Sequence, residues 1–394
     1  MSALYERLSP ARARLTAADE RLLESQVALC EIPAPTGLES RRAAAVARRF
    51  AALGLNDIRT DDVGNVIAVR PGLTSDAPVL VCAHLDTVFP EGTAVRVERE
   101  GPQLAAPGIV DNSRGLAAML ALAEAIDGRT LVTRRPITFA ATVGEEGSGD
   151  LRGMKHLFAR LDEMPSSCIA LDGAGDDRIV TTALGARRFR VTFRGPGGHS
   201  WASFGVANPV HAAGATASKL ARLPLPRTPR TTLSVCRIGG GISVNAIPDE
   251  AWLEMDLRSS SADVLARCAE EIAIVVRTAV REENQRRSPG TDELVSSIAV
   301  IGDRPCGELC ADHALVRLAS DATRAIGRVP DLAAASTDAN VPLSLGVPAI
   351  AIGAGGRGGG VHTAAEWYDN TDGPLGVARA LTVIVGAAGT TPTS

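Results

Sequence analysis

VLVCAHLDTV, residues 79–88, reads as a buried strand that ends in two metal-competent side chains. Positions 79–82 form an apolar, β-branched-rich run of the kind that a sheet covers on both faces. His84 and Asp86 follow at once, and if the extended path continues, period-2 geometry sets both on one side of the chain. A histidine that binds metal needs a carboxylate or carbonyl to fix its tautomer, so His-x-Asp suits a ligand together with its supporting group. A lone histidine capping a core strand is the plainer reading, and the acids further along the chain weigh against it.

Outward from this stretch, the chain alternates helices and apolar strands. Residues 15–29 and 39–53 have helical spacing, the first ending before Pro33 and Pro35 and the second closed by Gly54. GNVIAVR, residues 64–70, is a strand ended by Pro71 and Gly72. PGIVDNSRG, residues 107–115, is a loop that places Asp111 just before an Ala-rich helix at 116–126, where a capping carboxylate would also sit. Residues 137–143 form a strand that runs into Gly144, Glu145 and Glu146, and residues 168–171 form another that ends in Asp172. Adjacent carboxylates beyond a central strand are costly unless a cation neutralises them. Ligand crevices of open α/β sheets lie outside the carboxyl ends of the strands, so these residues are expected to converge.

After Thr182 the character changes. RFRVTF at 188–193 alternates as a half-exposed antiparallel strand does, and GPGGHSWASFG follows it. A helix at 209–223, strands at 231–238 and 251–257, a helix at 262–282 and a strand at 293–300 complete a β-α-β-β-α-β order, which is that of a ferredoxin-like unit. The α/β pattern resumes at 312, with a helix to 326, a strand at 348–352, a loop of glycine and alanine around Arg357 that ends at His362, and a last helix at 375–388. The expected organisation is therefore an α/β/α domain from residues 1–184 and 301–394, interrupted by an inserted domain at 185–300.

Composition narrows the functional classes. The chain has 394 residues, a formal net charge of −4, 45% hydrophobic residues and 3% aromatics, which leaves neither a basic footprint nor a stacking platform for nucleic acid. No apolar segment is long enough to span a bilayer, and the charged stretch at 1–23 lacks the apolar core of a signal peptide, so a cytoplasmic location with no membrane partner is expected. Cys82, Cys168, Cys236 and Cys268 lie among apolar neighbours and read as reduced core thiols. CGELC at 306–310 has no second pair to make a zinc knuckle.

His84, Asp111, Glu146, Asp172 and His362 together suit a pair of divalent, zinc-like ions that share one bridging carboxylate. Glu145 stands beside a ligand without being needed as one, and is free to move the proton of an attacking water. The segments AHLDT (83–87), VDN (110–112), GEEG (144–147), LDG (171–173), GGHS (197–200), GGGISVNAIP (239–248), DLR (256–258) and GGGVHT (358–363) give the chain a resemblance to the M20, clan MH, metallopeptidases. That family includes peptidase T, glutamate carboxypeptidase, acetylornithine deacetylase and succinyl-diaminopimelate desuccinylase, and the resemblance extends from about residue 15 to residue 388.

The resemblance implies a zinc-peptidase-like catalytic domain and an inserted lid and dimerisation domain. It implies that His84, Asp111 and Asp172 hold one metal and Asp111, Glu146 and His362 the other, zinc being expected and cobalt or manganese the alternatives. Asp86 would orient His84, Glu145 would be general base and acid, and the Asp111-Asn112 peptide bond would be cis. His199, in GPGGHS, would meet the oxyanion, delivered with Asn245 from the second subunit of a homodimer, and Arg258 would face a substrate carboxylate. Read without the resemblance, His199 is equally a surface-turn residue and Arg258 equally an exposed cross-strand partner.

Two departures bear on the substrate. Asp172 stands where some branches have Glu, which points toward peptidase T and related dipeptidases. Asn340, in STDAN, stands where the deacetylase and desuccinylase branches have Arg, which lowers those activities. The leading expectation is a hydrolase of amide bonds in small peptides, of aminopeptidase or dipeptidase type. A carboxypeptidase or an N-acyl amino acid deacylase on the same scaffold is the alternative, and an inactive metal-binding scaffold a distant one. Arg357, between Gly356 and Gly358, would favour a carboxylate-bearing substrate.

Overall fold

The computed structural model describes residues 2–390, which fall into two compact units: Leu184–Cys306, and the remainder on either side of it.

The larger unit is built on a mixed sheet whose centre is four parallel strands, in the order Ile137–Thr142, Val79–His84, Ser167–Leu171 and Ala349–Ile352. Val66–Arg70 pairs antiparallel with Ile137–Thr142 on one side, and Asn56–Thr60 pairs with it in turn. On the other side Arg178–Ala183 runs antiparallel to Ala349–Ile352 and pairs with Asp331–Ala335 and Gly307–Glu308. The stretch VLVCAH alternates between two cores: Val79, Val81 and Ala83 pack in one apolar cluster with the helices Ser113–Ala125 and Gly373–Ala388, while Leu80 and Cys82 pack in another with the helix Arg152–Ala159. All six of its residues are buried, as a strand covered on both faces requires. Because the four central strands are parallel, their carboxyl ends share one edge of the sheet.

Several elements differ from the sequence reading. The helix expected at 15–29 is two helices, Ser9–Ala17 and Asp19–Cys30, parted at Ala18. Asp19 and Glu20 open the second, where the free N–H groups favour negative charge. Arg178–Ala183 and Asp331–Ala335 were not foreseen as strands; the second, DLAAA, is rich in the residue with the best helix propensity, and pairing with Arg178–Ala183 overrides it. A small antiparallel sheet of Glu98–Glu100, Gln103–Ala105, Trp367–Asp369 and Arg357–Gly359 was also not foreseen.

The smaller unit has a four-stranded antiparallel sheet in the order Thr232–Gly240, Glu250–Ser259, Gly185–Arg194, Val295–Arg304. Helices Pro209–Leu220 and Ala262–Arg286 complete the βαββαβ sequence of a ferredoxin-like unit. The buried face follows strict alternation: Ala251, Leu253, Met255 and Leu257 join Val191 and Phe193 in its core. Cys236, expected in the core, is exposed. The register of Thr232–Gly240 against its neighbour shifts between Val235 and Arg237, so Cys236 is the extra residue of a bulge and has no inward position.

Candidate metal centre

The carboxyl edge of the central sheet gathers the predicted ligands of the larger unit. His84 ends its strand, Glu145 and Glu146 follow the strand Ile137–Thr142 after a turn at Val143 and Gly144, and Asp172 follows Ser167–Leu171 directly. Asp111 comes from the loop before the helix Ser113–Ala125. That helix is capped by Asn112, whose side-chain oxygen accepts the Gly115 N–H (3.1 Å) and whose amide donates to the Leu171 carbonyl (2.8 Å). The capping role that Asp111 might have filled therefore belongs to its neighbour, and the carboxylate faces the cluster. The Asp111-Asn112 peptide bond is cis.

Asp111 stands between two histidines. Its Oδ1 lies 2.9 Å from His84 Nε2, and its Oδ2 lies 3.0 Å from His362 Nε2, which is also 2.9 Å from Glu146 Oε1. His84, Asp111 and Asp172 each bring a ligand atom within 4.8 Å of the others, and so do Asp111, Glu146 and His362. His84, Glu145 and Glu146 form a third such group, which puts a Glu145 oxygen within reach of the same cluster. His362 is exposed and has a left-handed backbone (φ 66°) at the end of the glycine-rich loop. For a residue with a Cβ this is an uncommon conformation, and it turns the imidazole toward Asp111 and Glu146.

The electrostatics of the cluster follow from carboxylates and imidazoles packed together. Burial disfavours ionisation of Asp111, but hydrogen bonds to His362 and His84 outweigh it and hold the carboxyl below the usual range. His362 is raised to about 10 by its bonds to Asp111 and Glu146. Burial works against a charged His84, yet its bonds to Asp111 and Asp86 carry it well above the ordinary imidazole value. Asp172 is pushed up to about 7, first by burial and then by the charge of Asp111. The carboxylates thus raise both imidazoles, and burial with neighbouring charge raises Asp172. The donor set of two imidazole nitrogens and three carboxylates, one of them offering an oxygen to each side, fits two divalent ions of the zinc class.

The residues behind this cluster fix it. His84 Nδ1 donates to the backbone carbonyl of Asp86 (3.0 Å), and the Asp86 carboxylate is 3.6 Å away. That carboxylate instead accepts the backbone N–H groups of Glu145 (2.9 Å) and Glu146 (3.0 Å) and the Thr36 hydroxyl (2.8 Å). Asp86 therefore acts in two directions, holding His84 through its carbonyl and the Glu145-Glu146 turn through its side chain. Three further residues have no counterpart in the sequence reading. Glu366, with no exposure, accepts the N–H groups of Gly108 (2.9 Å), Val110 (2.8 Å) and Asp111 (2.9 Å). Arg42, also buried, donates to the carbonyls of Leu85 (2.8 Å), Ile32 and Cys30. Glu39 accepts the Gly144 N–H (3.1 Å) and the Arg152 guanidinium (3.1 Å). Each holds backbone groups that only the fold brings near, so no spacing of like residues marks them.

Within the smaller unit, His199 and Asn245 lie together. The short strands Gly198–His199 and Ala246–Ile247 pair antiparallel, and Ser200 N–H donates to the Asn245 carbonyl (2.9 Å). His199 Nδ1 accepts the N–H groups of Trp201 (3.2 Å) and Ala202 (3.4 Å), which places the proton of the neutral ring on Nε2. Arg258 is not with them. It stands near the far end of Glu250–Ser259, roughly 20 Å along the strand from the Trp252 that shares a cavity with His199, and it is paired with Asp256 at 2.5 Å. Arg357, in the larger unit, lines a cavity that Asp111 and Asp172 also line.

Comparison with known proteins identifies the family. A Mycobacterium tuberculosis protein provisionally named succinyl-diaminopimelate desuccinylase is 29% identical over 245 residues, 60% of this chain and 67% of that protein. The N-carbamoyl-L-amino acid amidohydrolase of Geobacillus stearothermophilus is 26% identical over 369 residues, 80% of this chain and 83% of its own length. Among solved structures, a tripeptidase from Staphylococcus aureus has the same fold, with a TM-score of 0.76 at 22% identity over 94% of this chain and 98% of that one. The profile of peptidase family M20/M25/M40 matches residues 80–385, most of both units. The chain belongs to that family and is a hydrolase of the peptidase or amidohydrolase type.

Proposed function

We propose that the chain hydrolyses amide bonds in small peptides with the help of two divalent metal ions, zinc being the expected species. The observation that carries this reading is the division of the Asp111 carboxylate, one oxygen facing His84 and the other His362. His84, Asp111 and Asp172 would hold one ion, and Asp111, Glu146 and His362 the other. Bound there, the pair supplies Lewis acidity that polarises a carbonyl and lowers the pKa of a water.

The chain's own residues do the rest. Glu145, buried and with its backbone N–H anchored on Asp86, takes the proton of the attacking water and returns it to the leaving amine. His199 carries its proton on Nε2 and is the donor for the oxyanion, and the Asn245 amide, its oxygen accepting the Ser243 hydroxyl (2.5 Å), keeps its N–H groups for the same task. Arg258 would have to leave Asp256 before it could meet a substrate carboxylate.

Homodimer formation through the smaller unit is part of this proposal. Val295–Arg304 is an edge strand of its sheet and exposes Val295, Ile298, Val300 and Ile301, a combination that invites pairing with a second chain. No helix among the described residues is long and apolar enough to cross a membrane, and small peptides of the cytoplasm are the proposed substrates. The alternative, an N-acyl amino acid or carboxypeptidase substrate, uses the same centre.

The two readings separate on a panel of one dipeptide and one tripeptide with free or blocked ends. Cleavage that requires a free amine establishes the peptidase reading of aminopeptidase type. Cleavage that tolerates a blocked amine but requires a free carboxylate contradicts it and moves the assignment to the alternative.

A further inference from the structure

Beside the metal donors the larger unit has a cavity of about 590 Å³, of a size suited to a small ligand. Asp111 and Asp172 form one part of its wall, and three guanidinium groups, those of Arg178, Arg328 and Arg357, form another. These arginines are not equivalent. Arg328 is tied to Asp176 (2.9 Å) and Asp372 (2.8 Å), so its charge is spent within the wall. Arg178 makes one long hydrogen bond, to the Ala334 carbonyl at 3.4 Å. Arg357 makes no hydrogen bond or ion pair among the described residues, although Asp369 stands opposite it across the small sheet.

The loop that carries Arg357 is held in place by its glycines. A Cβ at Gly355 would meet the Gly373 carbonyl at 2.1 Å, and one at Gly358 would meet Val110 at 2.7 Å. The backbone on either side of Arg357 therefore packs too closely to admit a side chain, and the guanidinium is the one polar side chain that residues 353–360 present. A rigid loop that offers one guanidinium, opposed across the small sheet by Asp369, at the wall of a cavity beside metal donors is suited to an anionic group of the substrate.

We infer that this cavity is an anion subsite in which Arg357, with Arg178 beside it, receives a carboxylate that the substrate carries in addition to the amide being cleaved. This rests on the proposed metal centre for the position of the scissile bond, and it narrows the substrate class to peptides or N-acyl amino acids with an acidic group on that side. Asp176 is neutralised by Arg328, while Asp177, on the same wall, sets a limit on how negative the bound group can be.

The test uses glutaramate, which carries one carboxylate, and the neutral diamide glutaramide as probes in calorimetric titrations of the full chain. Wild type, Arg357→Ala and Arg357→Lys are compared, zinc-loaded and chelator-stripped, with zinc content measured on the same samples. The expected result is that wild type holds glutaramate about tenfold more tightly than glutaramide, the low end for a charge-assisted contact at an exposed guanidinium. Arg357→Ala should abolish the ratio and Arg357→Lys should keep part of it. An equal affinity of wild type for the two probes overturns the subsite, and so does an unchanged ratio in Arg357→Ala. Zinc content reports on the metal centre separately, so a chain that takes up no zinc on loading but keeps the ratio contradicts the centre and supports the subsite.

Discussion

At position 366 a fully buried carboxylate accepts three consecutive-loop N–H groups and so fixes the segment that presents Asp111. Burial raises its pKa and the three bonds oppose that rise. In Glu366→Gln one acceptor oxygen becomes a donor that faces other donors, leaving at least one buried N–H unpaired at a cost of about 1–3 kcal/mol. Urea denaturation should show that loss, and zinc titration should show weaker binding, although residue 366 touches no metal in the proposed centre. Unchanged zinc affinity would reduce Glu366 to a purely structural role. The proposed ligands were legible because His84 ends, and Glu146 and Asp172 follow, strands whose apolar runs are plain in the sequence. Glu366, Glu39 and Arg42 were not, since their partners are backbone atoms that only the folded loops bring near. The sequence paired Asp86 with His84 through a carboxylate or a carbonyl; the structure uses the carbonyl for the hydrogen bond, and the carboxylate serves the next loop.

Among elements, the turn after the helix Ser113–Ala125 carries a separable pH effect. Asp127 accepts the N–H groups of Arg129 (2.8 Å), Thr130 (2.8 Å) and Leu131 (3.1 Å) and the Thr130 hydroxyl. Slight burial works against its ionised form, but these bonds outweigh it and its pKa lies below the ordinary value. A group whose folded pKa is depressed stabilises the protein above its unfolded pKa, about 3.9, and that stability is lost as pH falls through the folded value. Asp127→Asn should therefore cost up to about 1 kcal/mol at neutral pH, the screened value for an exposed turn. The difference from wild type should shrink progressively as pH falls below about 4 in urea denaturation. A difference that stays constant with pH would assign the effect to the neutral hydrogen bonds. The same scale shows where pattern reading stops: the β-branched run at 79–82 could only be a strand, while the alanines of Asp331–Ala335 become one through the partner they meet.

For the whole molecule, the proposed association uses a surface that the fold leaves unpaired. An acid on the exposed apolar edge should disfavour strand-to-strand contact between copies, so Val300→Asp is expected to shift sedimentation from dimer to monomer while each chain stays folded by circular dichroism. A wild-type chain that sediments as a monomer would remove the dimer from the account. The discontinuous layout could be read from the return of α/β character near residue 312, because a doubly covered sheet and an antiparallel half-exposed one leave different periodicities in the sequence.

The central claim is that the Asp111 cluster holds two catalytic ions and that Glu145 moves the proton. It is tested most directly by stripping wild type and Glu145→Gln with chelator, refilling both with zinc, and counting zinc per chain alongside dipeptide hydrolysis. The account predicts two zinc ions per chain in both proteins, hydrolysis that returns with zinc in wild type, and a rate in Glu145→Gln lower by about 10²–10⁴-fold. Hydrolysis that survives stripping, or an equal rate in Glu145→Gln, would contradict it.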